Sequence, residues 1–167
     1  MYASVQILRG ADQPCYVWAS RKKHNEGRGS MGETLTKLIY SSNHGGLSSG
    51  ALDSILHSSR SNNDREDITG VLVVGEEDFL QILEGERSAV AECFMRIMQD
   101  DRHKDIRIML AGKKSSRSFS KWSMHCVKTS GAKRAIISRY YIDGVFDPSR
   151  MSQDALEELF QTLAACK

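Results

Sequence analysis

No stretch of this 167-residue chain approaches the roughly 18 consecutive apolar residues that a membrane-spanning helix requires. The N-terminus has no basic start followed by an apolar core, so no secretory leader is expected. The cysteines, Cys15, Cys93, Cys126 and Cys166, form no C-x-x-C pair, and the histidines fall at no metal-ligand spacing. That excludes an ordinary structural zinc site and points to a reduced, cytoplasmic protein. An excess of charge of one sign is missing too. The formal net charge is +2. Residues 1–30 hold Arg9, Arg21, Lys22, Lys23 and Arg28 against Asp12 and Glu26, which leaves the rest of the chain near neutral. A near-neutral body carries no nucleic-acid footprint. Internal repeats and low-complexity runs are also absent.

What is present reads as one domain with an appendage at each end. Residues 1–33 are expected to be a flexible N-terminal extension with a basic stretch at 20–30, and Met31 is an alternative start. Leu35 to Ser41 reads as a first strand, ending in the loop SSNHGGLSSG. Ser48 or Ser49 caps a first helix whose Leu52, Ile55, Leu56 and Ser59 share a face, and Ser58 to Asp64 ends it. Ile68–Val74 and Phe79–Glu84 form a hairpin. Ser88 caps a second helix with Val90, Phe94, Ile97 and Met98 on one stripe. Ile106–Ala111 is a fourth strand, Gly112–Ser118 a basic loop, and Phe119–Val127 holds a fifth short strand. Weaker helical segments lie near Ala135–Tyr141 and Ser152–Ala165. The order β-α-β-β-α-β is that of an α+β, ferredoxin-like sandwich with an extra strand, its two helices on one sheet face and a C-terminal helical appendage.

Four features invite more than packing. Gln81 interrupts the apolar run Phe79-Leu-Gln-Ile-Leu83, and a buried primary amide needs partners for two donors and an acceptor. Taken alone it is a core glutamine bonded to backbone, or an edge glutamine facing water. Tyr40 ends the first strand, where a half-buried tyrosine is ordinary. Asn62-Asn63 closes the first helix, as asparagine often does. Trp122-Ser-Met124, with Phe119, reads as aromatic and thioether core filling. In combination they say more. The first and third strands of this topology are central neighbours, so Tyr40 and Gln81 meet beneath the helices, with Asn63 pointing into the same cleft. Such a cleft suits a flat ligand with amide-like edges.

These pieces resemble the BLUF family of flavin-dependent blue-light sensors. The matching segments are Leu38-Ile-Tyr-Ser41, Ser59-Arg-Ser-Asn-Asn63, Ile68-Thr-Gly-Val-Leu72, Phe79-Leu-Gln-Ile-Leu-Glu-Gly85, Asp101-Arg-His103 and Phe119-Ser-Lys-Trp-Ser-Met124. They place the flavin-binding domain at residues 34–128 and a helical extension at 129–167. The resemblance implies noncovalent FAD with its ring system between the two helices. It makes Tyr40 and Gln81 the photoactive pair. Asn63, with Asn62 beside it, is then expected at the pyrimidine edge, and Arg96, Asp100 and His103 near the ring edge, ribityl chain or phosphates. Trp122 and Met124 take the switch positions on the last strand, either one inside the pocket. The implied photochemistry moves an electron and a proton off the tyrosine and leaves the glutamine amide rotated or tautomerised, with no net reaction.

A LOV-type sensor, whose motif also holds Phe-Leu-Gln, needs a cysteine just before it, and Glu76, Glu77 and Asp78 stand there. An RNA-binding sheet needs displayed aromatics, which Val71–Val74 and Phe79–Leu83 do not supply. An acylphosphatase-like hydrolase needs an arginine by a glycine-rich anion loop, and SSNHGGLSSG offers only His44. About forty residues follow the match, too few for a cyclase or phosphodiesterase. That points to a stand-alone sensor that is not an enzyme and signals to a separate protein, with homo-oligomer formation expected. The stripe of Leu156, Leu159, Phe160 and Leu163 either packs on the open sheet face or forms a self-association or partner surface.

Overall fold

Alternating side chains bury both faces of the central strands, and this fixes the layering. The computed structural model describes residues 35–166; the expected N-terminal extension lies outside them. Strands β1 (Leu35–Asn43), β2 (Thr69–Val74), β3 (Asp78–Glu86), β4 (Lys104–Lys114) and β5 (His125–Lys128) form one sheet in the order β4-β1-β3-β2-β5. All neighbours are antiparallel except β2 and β5, which run parallel. Helices α1 (Ser49–Arg65) and α2 (Arg87–Met98) supply the crossovers. This is the ferredoxin-like sandwich with its extra strand added beside β2, and β1 and β3 are the expected central neighbours.

Leu38, Tyr40, Phe79 and Leu83 point toward the two helices, where they meet Leu52, Ile55, Leu56, Val90 and Phe94. Ile39, Val71, Val73, Leu80 and Ile82 point the other way. They are covered by α4 (Gln153–Ala165), which follows the short helix α3 (Arg134–Ile137) and two 3-10 turns. Leu156, Leu159, Phe160 and Leu163 are all buried in this second core. The α4 stripe therefore packs on the sheet and is not a free association surface. Lys37 on β1 and Glu157 on α4 add an ion pair of 2.5 Å at the rim.

Several boundaries differ from the sequence reading, each for a physical reason. Ser48 is the α1 cap, its side chain accepting from Ala51 N–H at 3.2 Å. The helix continues through Ser58–Asp64, because Asn63 is anchored by tertiary contacts rather than ending the helix. Helix α2 is capped by Glu86, not Ser88; the carboxylate accepts from Ala89 N–H. Its buried stripe is Val90, Cys93 and Phe94 with Ile97 alongside. Met98 is 51% exposed, since eight residues at about 100° each carry it roughly 80° away from Val90. Strand β4 is longer than expected and takes in Gly112–Lys114. Strand β5 is shorter, so Phe119–Met124 is an irregular segment that precedes it. Trp122 and Met124 are thus not on the last strand.

Two features set the course of that segment. The buried carboxylate of Glu84 accepts from Lys114 Nζ at 2.5 Å and from the backbone N–H groups of Ser118 and Phe119 at 2.9 and 3.1 Å. A fully buried charge is tolerable only with such a complement of donors. Gly70 allows β2 to lie close against β3, because a Cβ there would stand 2.1 Å from the Ile82 carbonyl oxygen. The Gly70 N–H then reaches past the ladder to the Trp122 carbonyl at 3.1 Å.

Candidate functional site

The β1–β3 register sets Tyr40 directly opposite Gln81, so both side chains leave the same sheet face and touch. The Tyr40 hydroxyl donates to Gln81 Oε1. The Gln81 amide Nε2 donates to the Met124 sulfur at 3.5 Å. Tyr40, Gln81 and Met124 are all buried, at 0%, 5% and 3% exposure. Burial, with smaller contributions from Cys93 and Asp100, pushes the Tyr40 hydroxyl well above the ordinary phenol range. Tyr40 is therefore protonated in this arrangement and donates to Gln81.

The amide nitrogen is the unusual part. It carries two N–H donors, and a thioether is a weak acceptor. A buried amide held this loosely can trade its partner for a better acceptor at little cost. Its setting is a cleft between α1 and α2 that contains about 660 Å³ of empty space, counting its open mouth. Ile55, Ser58, Ser59, Asn62 and Asn63 line it from α1, with Gln81 from the sheet. Cys93, Arg96 and Ile97 line it from α2, followed by Asp100, Arg102 and His103. Every expected cofactor-binding residue lies here. Tyr40 sits behind Gln81 and does not line the cleft.

The polar lining is held in place. Asn63 is buried; its amide N–H donates to the Ser123 carbonyl at 2.7 Å, and among the described residues its Oδ1 accepts only from the Cys93 thiol at 3.7 Å. Burial raises the Cys93 thiol to about 11, so it stays protonated. Asn62 accepts from Arg65 at 3.0 Å. Arg96 pairs with Glu66 at 2.5 Å and joins the ends of the two helices. Asp100 accepts from Arg102 Nε and Nη2, one edge of the guanidinium, at 2.8 and 2.5 Å, and from the Arg102 backbone N–H at 3.0 Å. Those bonds hold its carboxyl below the usual carboxylate range. His103 Nδ1 lies 2.8 Å from Ser42 Oγ, and burial lowers its pKa to about 4. The ring is neutral at physiological pH.

The two expected switch residues part company. Met124 joins the core on the helix side and contacts Gln81. Trp122 packs against the other core, stacked on His125 with centroids 4.3 Å apart and near Phe119 at 6.0 Å. This is the methionine-in arrangement. Cys93, Ser42 and Arg102 had no assigned role in the sequence reading. Cys93 was findable, since it stands three residues after Val90 on the helical stripe. Arg102 lies inside a quoted motif, but nothing in the spacing shows that Asp100 would fold back on it.

The donor set fits a flavin. Gln81 offers amide donors and Asn63 a weakly engaged carbonyl oxygen, both lining the cleft together with Arg96 and Arg102. FAD is the group that comparison with known proteins indicates. Residues 35–125 match the family described as BLUF, sensors of blue-light using FAD. Photoactivated adenylate cyclase subunit beta of Euglena gracilis is 33% identical over 93 residues, which is 54% of this chain. The match spans only 11% of that relative's length. Among solved structures, BlsA in its photo-activated state superposes with a TM-score of 0.71 at 27% identity, covering 80% of this chain and 96% of that one. BlrB in its dark state gives 0.69 at 30% identity, covering 81% and 98%. With a match over more than half its length and the same fold as these sensors, the chain belongs to the BLUF family of blue-light sensors that use FAD.

Proposed function

We propose that Tyr40, Gln81 and Met124 form the light-operated switch of this chain, and that its output is contact with a separate protein rather than catalysis. The observation that carries this reading is the buried chain Tyr40 Oη–H to Gln81 Oε1, and Gln81 Nε2–H to Met124 Sδ, at the floor of the cleft. When bound, noncovalently, FAD supplies absorption of blue light and an excited-state oxidant able to draw an electron from a nearby phenol. Asn63 Oδ1 and the Gln81 N–H groups would hold its polar ring edge, and Asn62, Arg96, Asp100, Arg102 and His103 the remainder.

The residues themselves define two states. In the present one Gln81 turns its oxygen to Tyr40 and its nitrogen to Met124. A half-turn of the amide, or its tautomer, reverses that polarity. After the half-turn the nitrogen donates to the Tyr40 oxygen and the Met124 sulfur loses its donor; in the unrotated tautomer the new O–H is the donor to Tyr40. Tyr40 regains its proton and electron by the end of the cycle, so the switch changes arrangement without net reaction. Releasing Met124 alters the segment leading into β5, and this is the change a partner would read. An effector such as a nucleotide cyclase, the activity named in the Euglena relative, is one class of partner this fits. Association of the chain with itself belongs to the same proposal, and sizing in the dark and under illumination tests it.

The test is Tyr40→Phe. The mutant should keep its FAD and its fold but lose the reversible light-induced red shift. A normal photocycle in Tyr40→Phe would sink the assignment.

A further inference from the structure

Three consecutive carbonyls just before β5 each accept one hydrogen bond from outside the segment. Trp122 O takes the Gly70 N–H at 3.1 Å, Ser123 O takes the Asn63 amide at 2.7 Å, and Met124 O takes Arg60 Nε–H at 3.1 Å. Phe119–Met124 has no ladder of its own; pairing with β2 begins at His125. These three donors, with the Glu84 carboxylate that holds the Phe119 N–H, give the segment its course. Two come from α1, where Arg60 and Asn63 stand three residues apart and project from the same side of the helix.

Arg60 holds the residue that matters most. Met124 is gripped at both ends, its sulfur by the Gln81 amide and its carbonyl by a charged guanidinium. Gln81 can let go of the sulfur by turning. Arg60 has no reason to turn with it, and a charge-assisted bond to a carbonyl is stronger than a neutral one. We infer that Arg60 is a positioning residue for the photocycle: it latches the Met124 backbone in the methionine-in arrangement and sets how readily the chain returns to it after light. The inference rests on the proposed Tyr40–Gln81–Met124 switch. Arg60 also lies at the surface, so a bound partner could reach this latch, whereas the Asn63 side chain beside it is buried.

The experiment uses the FAD-loaded full chain with Arg60→Ala and Arg60→Lys. Two quantities are measured: the rate of dark recovery after a blue pulse, and amide hydrogen exchange across residues 123–127 in the dark. Arg60→Ala should retain FAD and the size of the red shift. It should slow recovery and speed exchange in this segment, each by about three- to tenfold, because one charged hydrogen bond is lost. Exchange in α2 should not change. Arg60→Lys keeps a charged donor without the guanidinium geometry, and should fall between Ala and the parent in both measurements. Parent-like or faster recovery in Arg60→Ala overturns the inference, even if exchange rises, since that would make the bond merely structural. Parent-like exchange overturns it as well. If Tyr40→Phe still photocycles, the switch itself is wrong; the dark exchange result still reports separately on the Arg60 contact.

Discussion

The two faces of the sheet, one residue apart along the same strands, do opposite work. Tyr40 and Gln81 face α1 and α2, while their immediate neighbours Ile39 and Ile82 face α4. On the helix side the core is interrupted by a phenol, an amide, the neutral His103 and Asn63, each of them hydrogen-bonded, and all but the phenol border a cleft. On the α4 side Val71, Leu80 and Ile82 and the α4 stripe of Leu159 and Phe160 form a continuous apolar core, with buried Ser41 and the donor-satisfied Glu84 at its edges. A polar network that must change partners is a poor source of stability, because each rearranged donor or acceptor risks desolvation without a bond. The continuous apolar core behind it keeps β1 and β3 in register while the front face switches.

This contrast can be tested by mutation, and the largest effect belongs to the back face. Leu159→Ala should cost about 2–5 kcal/mol in urea unfolding, as buried Leu→Ala changes do, while the protein that remains folded keeps an unaltered red shift. A shift lost in step with stability would mean that the faces are not separable. Next comes acid on the front face. The His103 pKa is lowered to about 4, mainly by burial, against about 6.5 in an unfolded chain. The unfolded state therefore takes up the proton first. Stability should be unaffected by this group above about pH 7 and should fall between roughly pH 6.5 and 4, by up to about 3 kcal/mol. Unfolding midpoints across that window in the parent and His103→Gln check this; equal slopes in both would remove His103 from the account.

Asn63→Ala should cost about 1–3 kcal/mol, because it leaves the Ser123 carbonyl without its donor, and it should weaken FAD retention. Smallest is the rim of the back face. Lys37→Met should lose the ion pair with the partly exposed Glu157 and change stability by under about 1 kcal/mol, an effect that shrinks with added salt. A larger loss would show that α4 is held by charge more than by its apolar stripe.

Much of this contrast is written in the period-two pattern of the strands. Once the β-α-β-β-α-β order is recognised, Tyr40 and Gln81 must be neighbours on one face, and the family motifs name the cleft residues that the structure gathers. The rest depends on contacts distant in sequence. Ser58–Asp64 has the composition of a helix end, yet it stays helical because Asn63 finds a partner 60 residues away. Phe119–Val127 looks like one strand by residue type. Its first half is instead pulled off the ladder by Glu84, Gly70, Asn63 and Arg60. That displacement is what sends Met124 to the helix side and Trp122 to the α4 side, which no local pattern encodes.

The Gln81 amide is the moving part of the proposed switch. The most direct measurement is the light-minus-dark absorption spectrum of FAD-loaded parent protein and of Gln81→Leu. The parent should show a red shift that reverses in the dark. Gln81→Leu, with a side chain of similar size and no amide, should bind FAD and show no such shift. A parent-like reversible shift in Gln81→Leu would contradict the account at its centre.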